Sequence, residues 1–95
     1  MTQFERRRYI TNPNVVAQHV SGALIVLQVE SGQYYSLDGI GERIWELVAQ
    51  GQTLGAVAQI LSAEYDAPLE QILQDVEELI EELSHERLLL AAPAD

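Results

Sequence analysis

Cysteine is absent from the chain, which removes any disulfide framework, thiolate nucleophile or sulfur ligand for a metal. Lysine is absent too, so five arginines face fifteen Asp and Glu residues, for a net charge of −10. The imbalance is local: residues 1–50 hold four arginines and five acids, whereas residues 51–95 hold Arg87 alone against ten acids. A DNA duplex presents one negative charge per ~1.7 Å of axis, and its binders neutralise phosphates with Lys and Arg. The C-terminal half would repel it. No apolar run approaches the ~18 residues that a membrane span requires. Arg6, Arg7 and Arg8 lie near the N-terminus, but no apolar stretch follows them at signal-peptide spacing. These absences predict a cytoplasmic protein with neither nucleic acid nor membrane as a partner.

What remains is an ordinary globular balance, 47% apolar and 21% charged over 95 residues. That length suits a single domain over residues 1–95, with one modest core and an ordered body from about residue 9 to about residue 90. Residues 91–95 read as a mobile tail.

Residues 15–37 are rich in β-branched and aromatic residues and are broken by turn signals. Val15-Val16-Ala17-Gln18-His19-Val20 reads as a strand, Leu24-Ile25-Val26-Leu27-Gln28-Val29 as a second, and Gln33-Tyr34-Tyr35-Ser36-Leu37 as a short third. Ser21-Gly22 and Glu30-Ser31-Gly32 are the turns between them. Connections this short allow only hairpins, so the strands form an antiparallel meander. After Asp38 the period becomes helical. Ile40, Ile44, Leu47 and Val48 fall on one stripe of a helix that ends before Gly51. Thr53 can cap a second helix carrying Leu54, Val57, Ala58, Ile60, Leu61 and Tyr65. Asp66-Ala67-Pro68 ends that helix, and Pro68 suits the first turn of the next. Leu69, Ile72, Leu73, Val76, Leu79, Ile80 and Leu83 then give the third helix a broad apolar face. His85-Glu86-Arg87 closes it, and Leu88-Leu89-Leu90 either returns as a strand or covers the core. A three-stranded antiparallel sheet followed by three helices is an α+β arrangement resembling a winged helix-turn-helix module.

The chemistry of catalysis is sparse. His19, Asp38 and Ser36 supply the residue types of a triad, but no Gly-rich nucleophile turn or oxyanion site surrounds Ser36. His19 reads instead as a strand residue on a solvated face, and His85 as favourably placed near a helix C-terminus. Glu77, Glu78, Glu81 and Glu82 contain i,i+4 pairs, yet they accompany no Glu-x-x-His set and no oxygen-rich calcium loop, so they read as a solvated face. Gly39-Ile40-Gly41 lacks the third glycine and the lysine of a phosphate loop and reads as the start of a helix. No metal, no cofactor and no enzymatic activity are expected. Trp45 lies beside the stripe of the first helix and reads as core packing. Tyr34 and Tyr35 are neighbours on a strand and must point to opposite faces, one inward and one outward. The pair serves either a contact surface or plain sheet packing.

The third strand and the third helix make the one arrangement that suggests binding. The strand leaves its hairpin for a helix, so one of its edges can remain unpaired. If the wide apolar face of the third helix lies beside that edge, the two form a groove. An extended peptide could then add as a strand, held by main-chain hydrogen bonds and selected by apolar pockets. The alternative is that Leu88-Leu89-Leu90 or a dimer partner covers the excess apolar surface.

One ordered series carries a resemblance. It runs Tyr34-Tyr35-Ser36-Leu37-Asp38-Gly39, Ile44-Trp45-Glu46-Leu47, Gly51-Gln52-Thr53, then Leu61, Glu64-Tyr65-Asp66, Asp75-Val76, Leu79-Ile80 and Leu83. At these spacings, over roughly residues 15–89, the chain resembles the PqqD-like family, the recognition elements of ribosomally made, post-translationally modified peptides. The resemblance implies a winged-helix-like fold that binds the leader segment of a precursor peptide as an added strand between third strand and third helix. It implies Gln33, Tyr34, Tyr35, Ser36 and Leu37 on the strand, and Ile72, Leu73, Asp75, Val76, Leu79, Ile80 and Leu83 on the helix, as peptide-binding residues. Asp75 either contacts the leader or is a solvated helix residue. Leu37-Asp38 stands where Leu-Asn is common in the family. Free-standing members similar to this chain accompany lasso-peptide clusters, beside a cysteine-protease-type leader peptidase and an ATP-dependent cyclase. Others present a precursor peptide to radical enzymes, as in pyrroloquinoline quinone biosynthesis. Two rival functions stay open: a winged-helix transcription regulator, whose recognition helix would have to carry the acids, and a partner domain that uses the same groove for an unrelated protein.

Overall fold

The structure, a computed structural model, describes residues 3–92. Its elements run α1 (Gln3–Arg6), β1 (Tyr9–Thr11), β2 (Val15–Val20), β3 (Ala23–Gln28), β4 (Tyr34–Leu37), α2 (Gly39–Ala49), α3 (Leu54–Tyr65), α4 (Leu69–His85) and β5 (Leu89–Ala91). The expected meander is present as an antiparallel sheet in the order β2-β3-β4. The three expected helices follow it as α2, α3 and α4.

Alternation sorts the sheet into two faces. Leu24, Val26 and Leu37 turn inward and are buried, with Tyr35 and Val15 half-buried beside them. They meet Ile44, Trp45, Leu47 and Val48 of α2, Leu54, Val57, Ala58 and Leu61 of α3, and Ile72, Val76, Ile80 and Leu83 of α4. Trp45 is in this core, as its place beside the stripe predicted. The Thr53 hydroxyl accepts from Ala56 N–H and caps α3. Asp66, with φ of 49°, ends that helix in the left-handed region. Pro68 occupies the cap position just ahead of α4 rather than its first turn.

The ends of the chain hold what the pattern did not reveal. Tyr9-Ile10-Thr11 forms β1 and pairs with β5 in a separate two-stranded sheet, Tyr9 opposite Ala91 and Thr11 opposite Leu89. Leu88 and Leu89 are fully buried, so the apolar tail both returns as a strand and covers the core. Ala91 is paired and Ala92 N–H donates to Arg8 C=O, which corrects the expectation of a mobile tail for these two residues; residues 93–95 lie outside the described residues. Leu54 N–H donates to Arg7 C=O, and α1 lies so close to α3 that a Cβ on Gly55 would stand 3.0 Å from the Glu5 backbone oxygen.

Arg87 is the joint of the molecule. It follows α4 with φ of 61°, while Leu88 N–H donates to Leu83 C=O and Arg87 N–H to Ser84 C=O, the two bonds of a Schellman motif. Its carbonyl accepts from Asn12 Nδ2 at 2.7 Å and from Gln28 Nε2 at 3.0 Å. Gln28 Oε1 in turn accepts from Glu30 N–H, so these two buried amides find their partners at the end of α4.

Candidate peptide-binding groove

β4 has β3 on one side and, among the described residues, no strand on the other. Main-chain groups of alternate residues face alternate sides of an antiparallel strand. Gln28 N–H donates to Gln33 C=O at 2.9 Å, so Gln33, Tyr35 and Leu37 turn their main-chain groups toward β3. The groups left at the open edge are those of Tyr34 and Ser36. Among the described residues the far edge, on β2, is also open at Ala17 and His19, whereas Val15 N–H donates to Asn12 C=O and the His19 side chain meets Glu42 of α2.

α4 packs on α3 and β5 rather than along β4, which leaves a cleft between strand and helix. It is bridged at two levels. At one, Leu37 and Leu79 converge over Gly41, where an added Cβ would lie 3.8 Å from a methyl of each. At the other, the Tyr35 hydroxyl donates to Glu86 Oε2 at 2.6 Å, with Gln33 Oε1 at 2.9 Å. One hydroxyl has one proton, and the carboxylate takes it. That bond, followed by partial burial and the charges of Glu86 and Glu82, holds the Tyr35 phenol above its ordinary pKa, so it stays a neutral donor. An open concavity of ≈490 Å³ is lined by Gly32, Gln33, Tyr34 and Tyr35, and a smaller one of ≈290 Å³ lies between Gln33 and the end of α4 at His85 and Glu86.

The strand and helix therefore run antiparallel, and β4 lies beside the last two turns of α4, Leu79 to Glu86. Leu73 and Asp75 are both half-buried and sit roughly 9 and 6 Å further along the helix axis, past the end of β4. A peptide longer than the strand would reach them. Leu79 and Leu73 offer partial apolar surface, whereas Ile72, Val76, Ile80 and Leu83 are 2%, 0%, 1% and 2% exposed and form the core behind the cleft. Tyr34 is 71% exposed and Tyr35 half-buried, as opposite faces of the strand require; Ser36 is exposed and Leu37 buried. Gly41, Glu82 and Glu86 belong to the cleft and were not assigned to it from the sequence, where they read as a helix start, a solvated face and a helix end; which turn of α4 would stand beside the strand is not written in the helix period. Glu82, Glu86 and Asp75 make the helical wall acidic.

The catalytic constellation is not assembled. His19 shares the inward row with Leu24 and Leu37, while Ser36 lies on the opposite face of the sheet. His19 is exposed, but at the end of the helix-facing row rather than on the solvated face expected, with Nε2 3.3 Å from Glu42 Oε1 of α2. Among the described residues no group of acids and histidines is arranged to hold a metal, and no helix is long and apolar enough to cross a membrane.

A family model for coenzyme PQQ synthesis protein D (PqqD) matches residues 23–89, which spans β3 through the start of β5. The chain belongs to the PqqD family. Two solved structures share this PqqD fold. TbiB1, in complex with the TbiA(beta) leader peptide, has a TM-score of 0.80 and 27% identity, covering 90% of this chain and 98% of that one. A lasso peptide synthetase B1 complexed with the leader peptide has a TM-score of 0.80 and covers 90% of this chain and 99% of that one; at 22% identity its likeness bears on the fold alone. No curated protein matches. The fold expected from the sequence, an α+β unit with a three-stranded antiparallel sheet, is the fold of these PqqD-like recognition elements.

Proposed function

We propose that the chain is a non-catalytic adaptor that binds the leader segment of a ribosomally made precursor peptide and presents it to processing enzymes. The observation that carries this reading is the open β4 edge beside the acidic, partly apolar wall of α4, in a fold whose 27%-identical relative is bound to a leader peptide. The leader adds as a strand, exchanging main-chain hydrogen bonds with Tyr34 and Ser36. Tyr35, Leu37 and Leu79 shape the pocket floor, Gln33 and Glu86 its polar end, and Leu73 and Asp75 meet the leader where it runs past β4. Ile72, Val76, Ile80 and Leu83 support the wall from within. The processing partners are a cysteine-protease-type leader peptidase and an ATP-dependent cyclase, as in lasso-peptide biosynthesis.

The PqqD family match favours a second pathway for the same groove, presentation of a precursor to a radical enzyme. Neighbouring genes separate the two. A test of the adaptor reading is fluorescence anisotropy with a labelled leader from the adjacent precursor gene and a scrambled leader as control. Selective binding at micromolar or lower concentration is expected. Equal affinity for both peptides would overturn the reading.

A further inference from the structure

Among the described residues nothing covers the face of the sheet turned away from the helices. Val16, Leu27 and Tyr34 form a row across its three strands, 55%, 37% and 71% exposed. Val20 and Val29 extend it, at 49% and 56%. In a chain with 21% charged residues, this face carries none: Gln18 and Ser36 are its polar members. Between residues 15 and 38 the only acidic or basic side chains besides His19 are Glu30, in the turn after β3, and Asp38, just after β4. An apolar field with an acidic rim is a docking surface in composition.

Three observations choose its occupant. The first is position: Tyr34 and Ser36 belong both to this face and to the open edge, so a strand added there would continue the same face with its own alternate side chains. The second is area. Strands of six, six and four residues give a field roughly 20 Å long and about 14 Å across, too small for the ~800 Å² per partner of a standard stable interface. An added strand enlarges it. The third is charge. Two copies docked through this face would bring acidic rims together on chains of −10 each, whereas a partner with a basic rim is attracted.

We propose that the outer face of β2-β3-β4, together with the outward side chains of the bound leader, forms a composite surface on which the processing enzyme docks through a flat apolar patch with a basic rim. The inference rests on the adaptor reading. It makes docking conditional on the leader, because neither part of the surface suffices alone.

Val16→Lys and Gln18→Lys test it. Both positions are exposed on β2, the strand furthest from β4, and Gln18→Lys removes no apolar packing. The measurements are leader affinity by anisotropy and the rate of leader cleavage by the peptidase encoded beside the precursor gene. Both variants should bind the labelled leader within twofold of wild type and slow cleavage at least tenfold, while Val16→Ile retains both properties. Cleavage at the wild-type rate by both Lys variants would overturn the proposal. So would a wild-type dimer in sedimentation that either Lys variant dissociates, since a second copy would then own the face. Failure of the wild-type chain to bind the leader would bring down the adaptor reading itself, and this inference with it, a result seen at the first measurement and identical in every variant.

Discussion

At the scale of single residues, two positions do work that their residue type does not advertise. Tyr35 ties strand to helix through Glu86, and its phenol is held above the ordinary value of 10.0, first by that hydrogen bond. A proton bound more tightly in the folded state contributes stability that is complete below the unfolded pKa and is lost as pH rises through the folded one. Urea midpoints of wild type and Tyr35→Phe should therefore differ at pH 7 and converge as pH climbs beyond about 10. A gap that stays constant to high pH would remove the bond from the account. Arg87 holds a left-handed conformation in which a Cβ is strained. Glycine at that position of a Schellman motif relieves the strain but adds freedom to the unfolded chain. Arg87→Gly should leave the fold more stable in denaturant titrations by the difference of the two, about 1 kcal/mol, since it is the carbonyl and not the side chain that Asn12 and Gln28 grip.

At the scale of elements, what could be read in advance divides by range. The meander and the three helices were legible because hairpin turns and helical periods are local signals, carried by residues such as Ser21-Gly22 and Thr53. β1 was not legible. Three residues between an Arg run and Asn12-Pro13 have too little pattern, and their partner lies some eighty positions away at β5. The open edge of β4 could be anticipated from connectivity, but the breadth of the α4 stripe misled in part: Leu88 and Leu89 close over it, and its centre is core. Proline separates the two sides of β4. At Ser36 it removes an N–H from the open edge, a place where strands tolerate it. At Tyr35 it removes one given to β3. Ser36→Pro should weaken leader binding at least tenfold, about 1.4 kcal/mol, with a melting temperature near wild type. Tyr35→Pro should lower the melting temperature sharply. Circular dichroism melts alongside anisotropy distinguish these outcomes, and intact leader affinity in a folded Ser36→Pro chain would argue against strand addition there.

At the scale of the whole molecule, charge is the dominant asymmetry. Residues 51–95 carry ten acids against Arg87, and most of them lie on α4 and its flanks. Their mutual repulsion opposes the compact state and is screened by salt, with a Debye length that shrinks from ~30 Å at 0.01 M to ~10 Å at 0.1 M. The melting temperature should rise between those concentrations of sodium chloride. A flat profile would mean that pairs such as Arg43 with Glu64, bonded through two nitrogens at 3.0 and 2.7 Å, already balance the field.

The pairing of β1 with β5 has a further consequence. After α1 has packed on α3, the chain passes through β1 at Tyr9 and returns at Ala91, directly across a two-stranded ribbon, in a sheet separate from β4. Geometrically it is a closed loop with its clasp on one side and its open strand edge in another sheet. Such a unit can be spliced into a surface loop of a larger polypeptide, or joined to it at either end, without separating the chain ends or blocking the cleft. The fold is thereby built as a detachable cassette, able to stand alone or in tandem with another domain.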